Sequence, residues 1–245
     1  MTSYKITYKP FGDSAVLIEW PPEMSEPILK DLLSFYEKIQ QAHSKHIIEA
    51  IQSINSLTII YDTDLTQFEK LKQWLTNIYK AKSNQKHSLT HYVWKIPVSY
   101  DSRFGLDLLE IALKNNLSVQ KIINLHTTTA YSVYSIGFLP GFLYLGGLDK
   151  RLHIDRKSEP RLKVQKGAIG IGGSQTGIYP AVSPGGWQLI GSTPVSFFDK
   201  NRRVPCFAKP GDKIQFISIT LQEYEQIQIQ VAAGTYSLEK EVLHD

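Results

Sequence analysis

The sequence predicts two domains: an α+β N-terminal domain of ferredoxin-like arrangement over residues 1–90, and a mostly β domain with short helices over residues 91–245. Three observations carry this reading. Up to residue 80, apolar residues recur with strand and helix periods in the order β-α-β-β-α, which suits an antiparallel sheet with helices on one face. The run Lys80-Ala-Lys-Ser-Asn-Gln-Lys-His-Ser-Leu89 is polar and aperiodic, as a domain boundary is. Beyond it, many short β-rich runs are separated by glycine and proline, which favours a barrel or a sandwich.

Each element has its own signal. Ser14–Trp20 is rich in strand formers and follows a Gly12-Asp13 turn. From Met24 to about Ala42, Ile28, Leu29, Leu32, Leu33, Tyr36 and Ile39 recur at helical spacing. Ile47–Ile51 and Leu57–Tyr61 read as strands joined by a polar turn. A second helix follows, with Asp64 as N-cap, Gln67 three residues on, and the stripe Leu65, Phe68, Leu71, Leu75 and Ile78. In the second domain Tyr92–Tyr100 alternates as a strand, and helices are expected over about 105–115 and 118–126, the latter capped by Ser118. Strands are expected at Tyr131–Ile136, Ala168–Ile171, Gln188–Ile190, Val195–Phe198, Lys213–Ile219 and Ile227–Val231.

Composition narrows the functional classes. Hydrophobic residues make up 42% and charged residues 20% of the 245, ordinary for a soluble globular protein. Neither a secretory leader nor a membrane-spanning run is visible, so a cytoplasmic protein is expected. The single cysteine, Cys206, leaves no internal disulfide or Cys-rich zinc site. The whole net charge of +4 falls in residues 91–245, and Lys150–Lys166 holds seven basic against two acidic residues. Such a run is either a solvated loop or an attraction for a carboxylate, a phosphate or an acidic surface. With no nucleic-acid motif beside it, nucleic acid is not an expected partner.

The densest signal is glycine: twelve of the sixteen lie between Gly137 and Gly191, interleaved with aromatics and prolines. The segment contains neither a P-loop nor a G-x-S-x-G elbow, and Gly170-Ile-Gly-Gly-Ser-Gln175 does not complete a dinucleotide fingerprint. The histidines lack metal-ligand spacing, so no metal site is expected. His126 stands at a predicted helix end, either as a cap or as a pocket group. Gln175, Thr176 and Ser183 could serve turn chemistry, or, with exposed glycine N–H groups, an anion. Arg161 could clamp a carboxylate or phosphate, or pair with Glu159. Tyr131, Tyr144 and Tyr179 are barrel residues or pocket residues, and Trp187 is a plug or an exposed anchor. Asp199 reads as a turn residue rather than a base.

Gly137-Phe-Leu-Pro-Gly-Phe-Leu-Tyr-Leu145, Gly170-Ile-Gly-Gly-Ser-Gln-Thr-Gly-Ile-Tyr-Pro180 and Ser183-Pro-Gly-Gly-Trp-Gln-Leu-Ile-Gly191 closely resemble the KipI/PxpB family. It is also called allophanate hydrolase subunit 1, or the carboxyltransferase subdomain of urea amidolyases. Phe11-Gly-Asp-Ser-Ala15, Ile96-Pro-Val98, His126 with Tyr131, and Pro210-Gly-Asp212 follow in the family's order. The resemblance implies that the second domain is a cyclophilin-like β-barrel. It implies a pocket of His126, Tyr131, Phe138, Pro140, Tyr144, Gln175, Thr176, Tyr179, Ser183, Gly185, Gly186 and Trp187, to which Arg161 is added as an anion-binding group. No catalytic residue is assigned.

The family implies three functions. The first is the B subunit of an ATP-dependent 5-oxoprolinase that converts 5-oxo-L-proline to L-glutamate. Its partners would be the C subunit, which is the other carboxyltransferase half, and an A subunit of LamB/YcsF type, with ATP bound where a partner completes the site. The second is a KipI-type inhibitor of a sensor histidine kinase, which requires an exposed apolar patch around Pro184–Trp187. The third is a biotin-dependent urea or amide carboxyltransferase component. The chain departs from the family at Tyr100-Asp-Ser-Arg-Phe-Gly-Leu-Asp-Leu108, at Val164-Gln-Lys-Gly167 and at Gly191-Ser-Thr-Pro194. Ser192 stands where the family carries an arginine, and Lys166 is the candidate replacement cation.

Overall fold

Alternation of large apolar and polar residues builds the first sheet. The computed structural model describes residues 4–81 and 90–243, and contacts divide the chain into two compact units, up to Thr90 and from His91 onward. The polar run that suggests a boundary lies, over residues 82–89, outside the described residues. In the first unit β1 (Thr7–Pro10), β2 (Ala15–Glu19), β3 (Ile47–Gln52) and β4 (Ser56–Tyr61) form an antiparallel sheet in the order β1-β2-β4-β3. Val16 pairs with Ile59 and Ile18 with Leu57, and all four are fully buried. Strand period places them on one face, where α1 (Glu26–Gln41) and α2 (Phe68–Lys80) supply Ile28, Leu32, Phe35, Leu71 and Leu75. Each such side chain contributes roughly 1.5–3 kcal/mol by leaving water.

Three expectations change here. Strand β1 was not expected from the sequence; it fills the sheet edge beside β2. Phe35 rather than Tyr36 is the buried residue of the α1 stripe, because the buried face advances to it from Leu32 at i+3. Asp64 does not cap α2: its own N–H donates to Asp62 Oδ1, closing an Asx turn, and the helix starts after Gln67. Leu65 therefore lies outside the helix and stays exposed.

In the second unit the described strands are β5 (Tyr92–Val98), β6 (Ala130–Ile136), β7 (Leu143–Gly146), β8 (Arg161–Val164), β9 (Ala168–Gly172), β10 (Gln175–Ile178), β11 (Ser183–Gly185), β12 (Gln188–Ser192), β13 (Lys213–Ser218) and β14 (Lys240–Val242). Eight run in one sheet, β12-β9-β10-β7-β6-β13-β5-β14, while β11 and β8 form a two-stranded ribbon. A pair of backbone bonds, Ser99 N–H to Ser192 O and Ser192 N–H to Ser99 O, both 2.9 Å, joins β12 to the chain leaving β5. The fold is mixed α/β with several sheets and few helices. Helices α3 (Leu108–Lys114) and α4 (Val119–Thr127) precede β6, with the Ser118 side chain accepting from Lys121 N–H as α4's N-cap.

Two expected strands are not strands. Val195–Phe198 is loop, although Val195 and Phe197 are buried in the core. Ile227–Val231 lies within a helix, α5 (Leu221–Ala232), closed at its start by a capping box between Thr220 and Glu223. Isoleucines and valine at 227, 229 and 231 imitate a strand period, but the capping box and the helical hydrogen bonds of its neighbours prevail. An Asp212 carboxylate, fully buried, ties the strands' start together. It accepts from Tyr92 N (3.0 Å), Trp94 Nε1 (2.9 Å), Lys209 N (3.1 Å) and His91 Nδ1 (3.3 Å). These bonds to its charged form outweigh burial and hold its carboxyl below the usual range.

Candidate functional site

The glycines of the dense segment make room for one indole. Strands β9 and β10 pair through Gly170 with Gly177 and Gly172 with Gln175, around the turn at Gly173. A Cβ on Gly172 would lie 2.6 Å from Trp187 Nε1, and one on Gly177 2.9 Å from Trp187 Cζ3. On Gly170 it would lie 3.0 Å from Trp187 Cβ. Trp187 thus lies against bare backbone and is buried at 5% exposure. Gly185 serves Tyr179 in the same way, since a Cβ there would overlap the Tyr179 hydroxyl. Phe142 joins the group edge-on, its ring 5.0 Å from Tyr144 and 5.5 Å from both Tyr179 and Trp187. Phe138, at φ 66° and exposed, stands edge-on to Phe142 at 5.6 Å.

This packing answers the possibility of an anion cradle among the glycines. Their backbone is engaged in the β9–β10 ladder, Gly173 N–H donates to Ile154 O at 2.8 Å, and Trp187 fills the space above them. The residues present do not fit a polyphosphate there.

A buried relay lies beneath. His126 is fully buried, with Nδ1 2.7 Å from the Tyr100 hydroxyl and Nε2 2.9 Å from Thr176 Oγ1. Thr176 gives its own proton to Gly170 O at 3.0 Å, so it accepts from His126 Nε2–H. Nδ1 is then the acceptor for the Tyr100 O–H. Phe216 stacks on the imidazole at 4.5 Å, and Tyr131 donates to His126 O at 3.0 Å. Burial lowers the imidazole pKa to about 3 and raises the Tyr100 and Tyr131 phenols. His126 is a neutral core group with both nitrogens satisfied, not a residue open to solvent.

The remaining predicted residues separate. Tyr144 and Gln175 are half-buried, Pro140 is exposed, and Gly186 borders Pro160. Ser183 is buried, its hydroxyl donating to Pro184 O at 3.1 Å. Arg161 does not pair with Glu159: its Nη2 donates to Asp107 Oδ1 at 2.7 Å, and Lys157 Nζ shares that oxygen at 3.0 Å. Lys166 does not stand in for the missing arginine, since it donates to Ser196 Oγ at 3.1 Å while Ser192 is buried against the Tyr224 hydroxyl. Asp199 accepts from Asn201 N–H in a turn.

Another opening lies away from these residues. A cleft of about 600 Å³ is lined by Glu110, Lys114, Gln188 and the segment Ile154–Glu159, a volume in the range of small-molecule sites. None of the predicted pocket residues lines it. The segment is pinned by Ile154 N–H to Gly173 O (3.2 Å), Lys157 N–H to Gly186 O (2.7 Å) and Gln188 Nε2 to Asp155 O (3.1 Å). Glu110 accepts from Lys114 at 2.7 Å and Lys157 at 3.0 Å, and these bonds bring its carboxyl down to about 2. The basic count of Lys150–Lys166 was the visible signal for this wall; Gln188 was visible only as a member of the motif Ser183–Gly191 and was not singled out. Among the described residues no group of three metal-ligating side chains forms, and no helix is long and apolar enough to cross a membrane.

Residues 6–208 match the family described as carboxyltransferase domain, subdomain C and D. The chain is 39% identical over 208 residues to the 5-oxoprolinase B subunit of Haemophilus influenzae, covering 85% of this chain and 95% of that protein. It is 35% identical over 223 residues to the 5-oxoprolinase B subunit of Bacillus subtilis, covering 87% and 92%. The crystal structure of TTHA0988 superposes with a TM-score of 0.73 at 32% identity, covering 84% of this chain but only 40% of that longer one. This chain belongs to the carboxyltransferase-domain family and, within it, groups with the B subunits of 5-oxoprolinase.

Proposed function

We propose that this chain is the B subunit of an ATP-dependent 5-oxoprolinase, opening the lactam of 5-oxo-L-proline to L-glutamate together with partner subunits in the cytoplasm. The observation that carries the proposal is identity of 35–39% along nearly the whole length of two such subunits. The partners are the C subunit, which is the second carboxyltransferase half, and an A subunit of LamB/YcsF type. The first unit is a ferredoxin-like sheet whose outer edge is supplied by β1 from the N-terminal side. The second is a cyclophilin-like barrel, a reading supported by the Ser99–Ser192 bonds that link β12 to the chain after β5.

A kinase-inhibiting surface anchored by Trp187 loses support, because that indole is buried under its own sheet. The glycine segment offers no phosphate cradle, so ATP is assigned to a site that a partner completes. Co-purification with the A and C subunits, followed by assay of glutamate from 5-oxoproline and ATP, tests the proposal. No glutamate from the complete set overturns it, and tight ATP binding to this chain alone, by calorimetry, overturns the placement of the nucleotide.

A further inference from the structure

Strand β14 is held to the fold by charge rather than by burial. All three of its residues are exposed, and it stands at the edge of the eight-stranded sheet with β5 as its neighbour. Strand alternation puts Glu239 and Glu241 on one side of the segment and Lys240 on the other. On the first side Lys95 Nζ lies 2.5 Å from Glu239 Oε1 and 2.6 Å from Glu241 Oε1, so one ammonium spans both carboxylates. These bonds push the Lys95 pKa up to about 12. On the second side Lys240 Nζ sits 4.0 Å from the centre of the Tyr92 ring and 5.0 Å from that of Trp94. The segment and β5 are thus clasped on both faces, each time through a cation.

The apolar anchorage stops just before this clasp. Tyr236 and Leu238 pack partly buried against the core of the second unit, whereas Val242 is 47% exposed. Beyond Leu238 the backbone is tied to β5 by Lys95 N–H to Glu239 O at 3.0 Å and Leu243 N–H to His91 O at 2.9 Å, with the β5–β14 ladder between. A short edge segment with few buried apolar contacts opens at a free energy below that of global unfolding. Exposed ion pairs weaken as salt rises, and the hold on this segment weakens with them.

What the segment covers gives its opening a consequence. β14 pairs with Tyr92, Val93 and Trp94, and Tyr92 N–H, Trp94 Nε1–H and His91 Nδ1 all reach the buried Asp212 carboxylate. Trp94 is 8% exposed with Lys240 over its ring. We propose that Glu239–Leu243 is a charge-latched strap. It opens from β5 without unfolding the second unit, more often as ionic strength rises, and its opening admits water to the Asp212 cluster. The strap does not depend on the enzyme assignment.

Hydrogen exchange of the full chain, resolved by residue with NMR, tests the strap in about 0.1 M and about 1 M sodium chloride, between which the screening length falls from about 10 Å to about 3 Å. The Lys95 and Leu243 amides and the Trp94 indole N–H should exchange about fivefold faster at the higher salt, as the loss of one or two exposed ion pairs gives. The bonded amides between β6 and β13 should hold their rates. Little surface is exposed in a local opening, so low urea should barely change exchange in the strap. Lys95→Met keeps the side-chain stem and removes the charge; it should reach the faster rates already at low salt and lose most of the salt response. Glu239→Gln combined with Glu241→Gln, on the exposed side of the clasp, should do the same and decides if Lys95→Met does not fold. Rates at Lys95 and Leu243 that ignore salt, or that equal those of the β6–β13 amides, overturn the strap. Acceleration at both amides that the Trp94 indole does not follow overturns the shielding of Asp212.

Discussion

Thr176 Oγ1 receives the Nε2 proton of His126 at 2.9 Å and passes its own to Gly170 O at 3.0 Å, which fixes one tautomer of an imidazole sealed in the core. Replacing Thr176 by valine keeps the shape and removes the acceptor. The stranded N–H should cost about 1–3 kcal/mol. Thermal melting of Thr176→Val at neutral pH measures this, and an unchanged midpoint would contradict the assigned direction of the relay.

The same histidine makes stability depend on pH. Its folded pKa is lowered from 6.5 to about 3 by burial. Between those values the unfolded chain takes up a proton that the folded chain refuses, so stability is full above about pH 6.5 and falls as the pH drops toward 3. The loss from pH 8 to pH 5 should be about 2 kcal/mol. Denaturant melts of wild type and His126→Gln across this window should show a clearly smaller slope in the variant. Equal slopes would refute the burial argument.

Gly172→Ala should displace Trp187. The added Cβ would stand 2.6 Å from the indole nitrogen, and relief requires moving a buried ring rather than a flexible chain end. A cost of about 1–3 kcal/mol is expected, with a red shift of tryptophan emission as the indole gains exposure. A substitution tolerated without either change would mean that the glycines serve something other than this packing.

The glycine segment shows both how far the sequence reaches and where it stops. Its density marks the right strands, and Gly185 with Tyr179 and Gly172 with Trp187 are pairs that the motifs already contain. Periodicity cannot tell that the space above a glycine is filled by a residue fifteen positions later, so an open cradle and a packed indole read alike. Thr220 and Glu223 have the spacing of a capping box at the start of helix α5, but the alternating branched residues Ile227, Ile229 and Val231 within it spoke more strongly for a strand. Gln188 stands inside the motif Ser183–Gly191 and Arg156 inside the basic run Lys150–Lys166, but neither pattern marks them as neighbours. They meet at one cleft only because the Ile154–Glu159 segment is bonded to Gly173, Gly186 and Gln188.

Asp212→Asn should be among the most destabilising single-atom changes in the second unit. The carboxylate collects donors from Tyr92, Trp94, Lys209 and His91, and an amide replaces one accepting oxygen by a group that repels them. A loss of about 2–3 kcal/mol is expected. Because the folded pKa is lowered, this contribution is complete above the unfolded carboxyl pKa and disappears as pH falls through the folded one. Wild type and variant should therefore converge in stability in strong acid; a constant difference down to the lowest pH would assign the effect to packing instead.

Asp107 gathers three groups at 3% exposure: Leu189 N–H at 2.6 Å, Arg161 Nη2 at 2.7 Å and Lys157 Nζ at 3.0 Å. Removing it in Asp107→Ala leaves two cations facing each other without their common anion, and the expected loss is about 3–5 kcal/mol. Arg161 has an Nη1 that already lacks a partner among the described residues, so most of the penalty should come from it. The double variant Asp107→Ala with Arg161→Met should then be more stable than Asp107→Ala alone. A double-mutant cycle in urea measures the difference. A second substitution that merely adds its own loss would show that Asp107 acts through the Leu189 backbone bond rather than through Arg161.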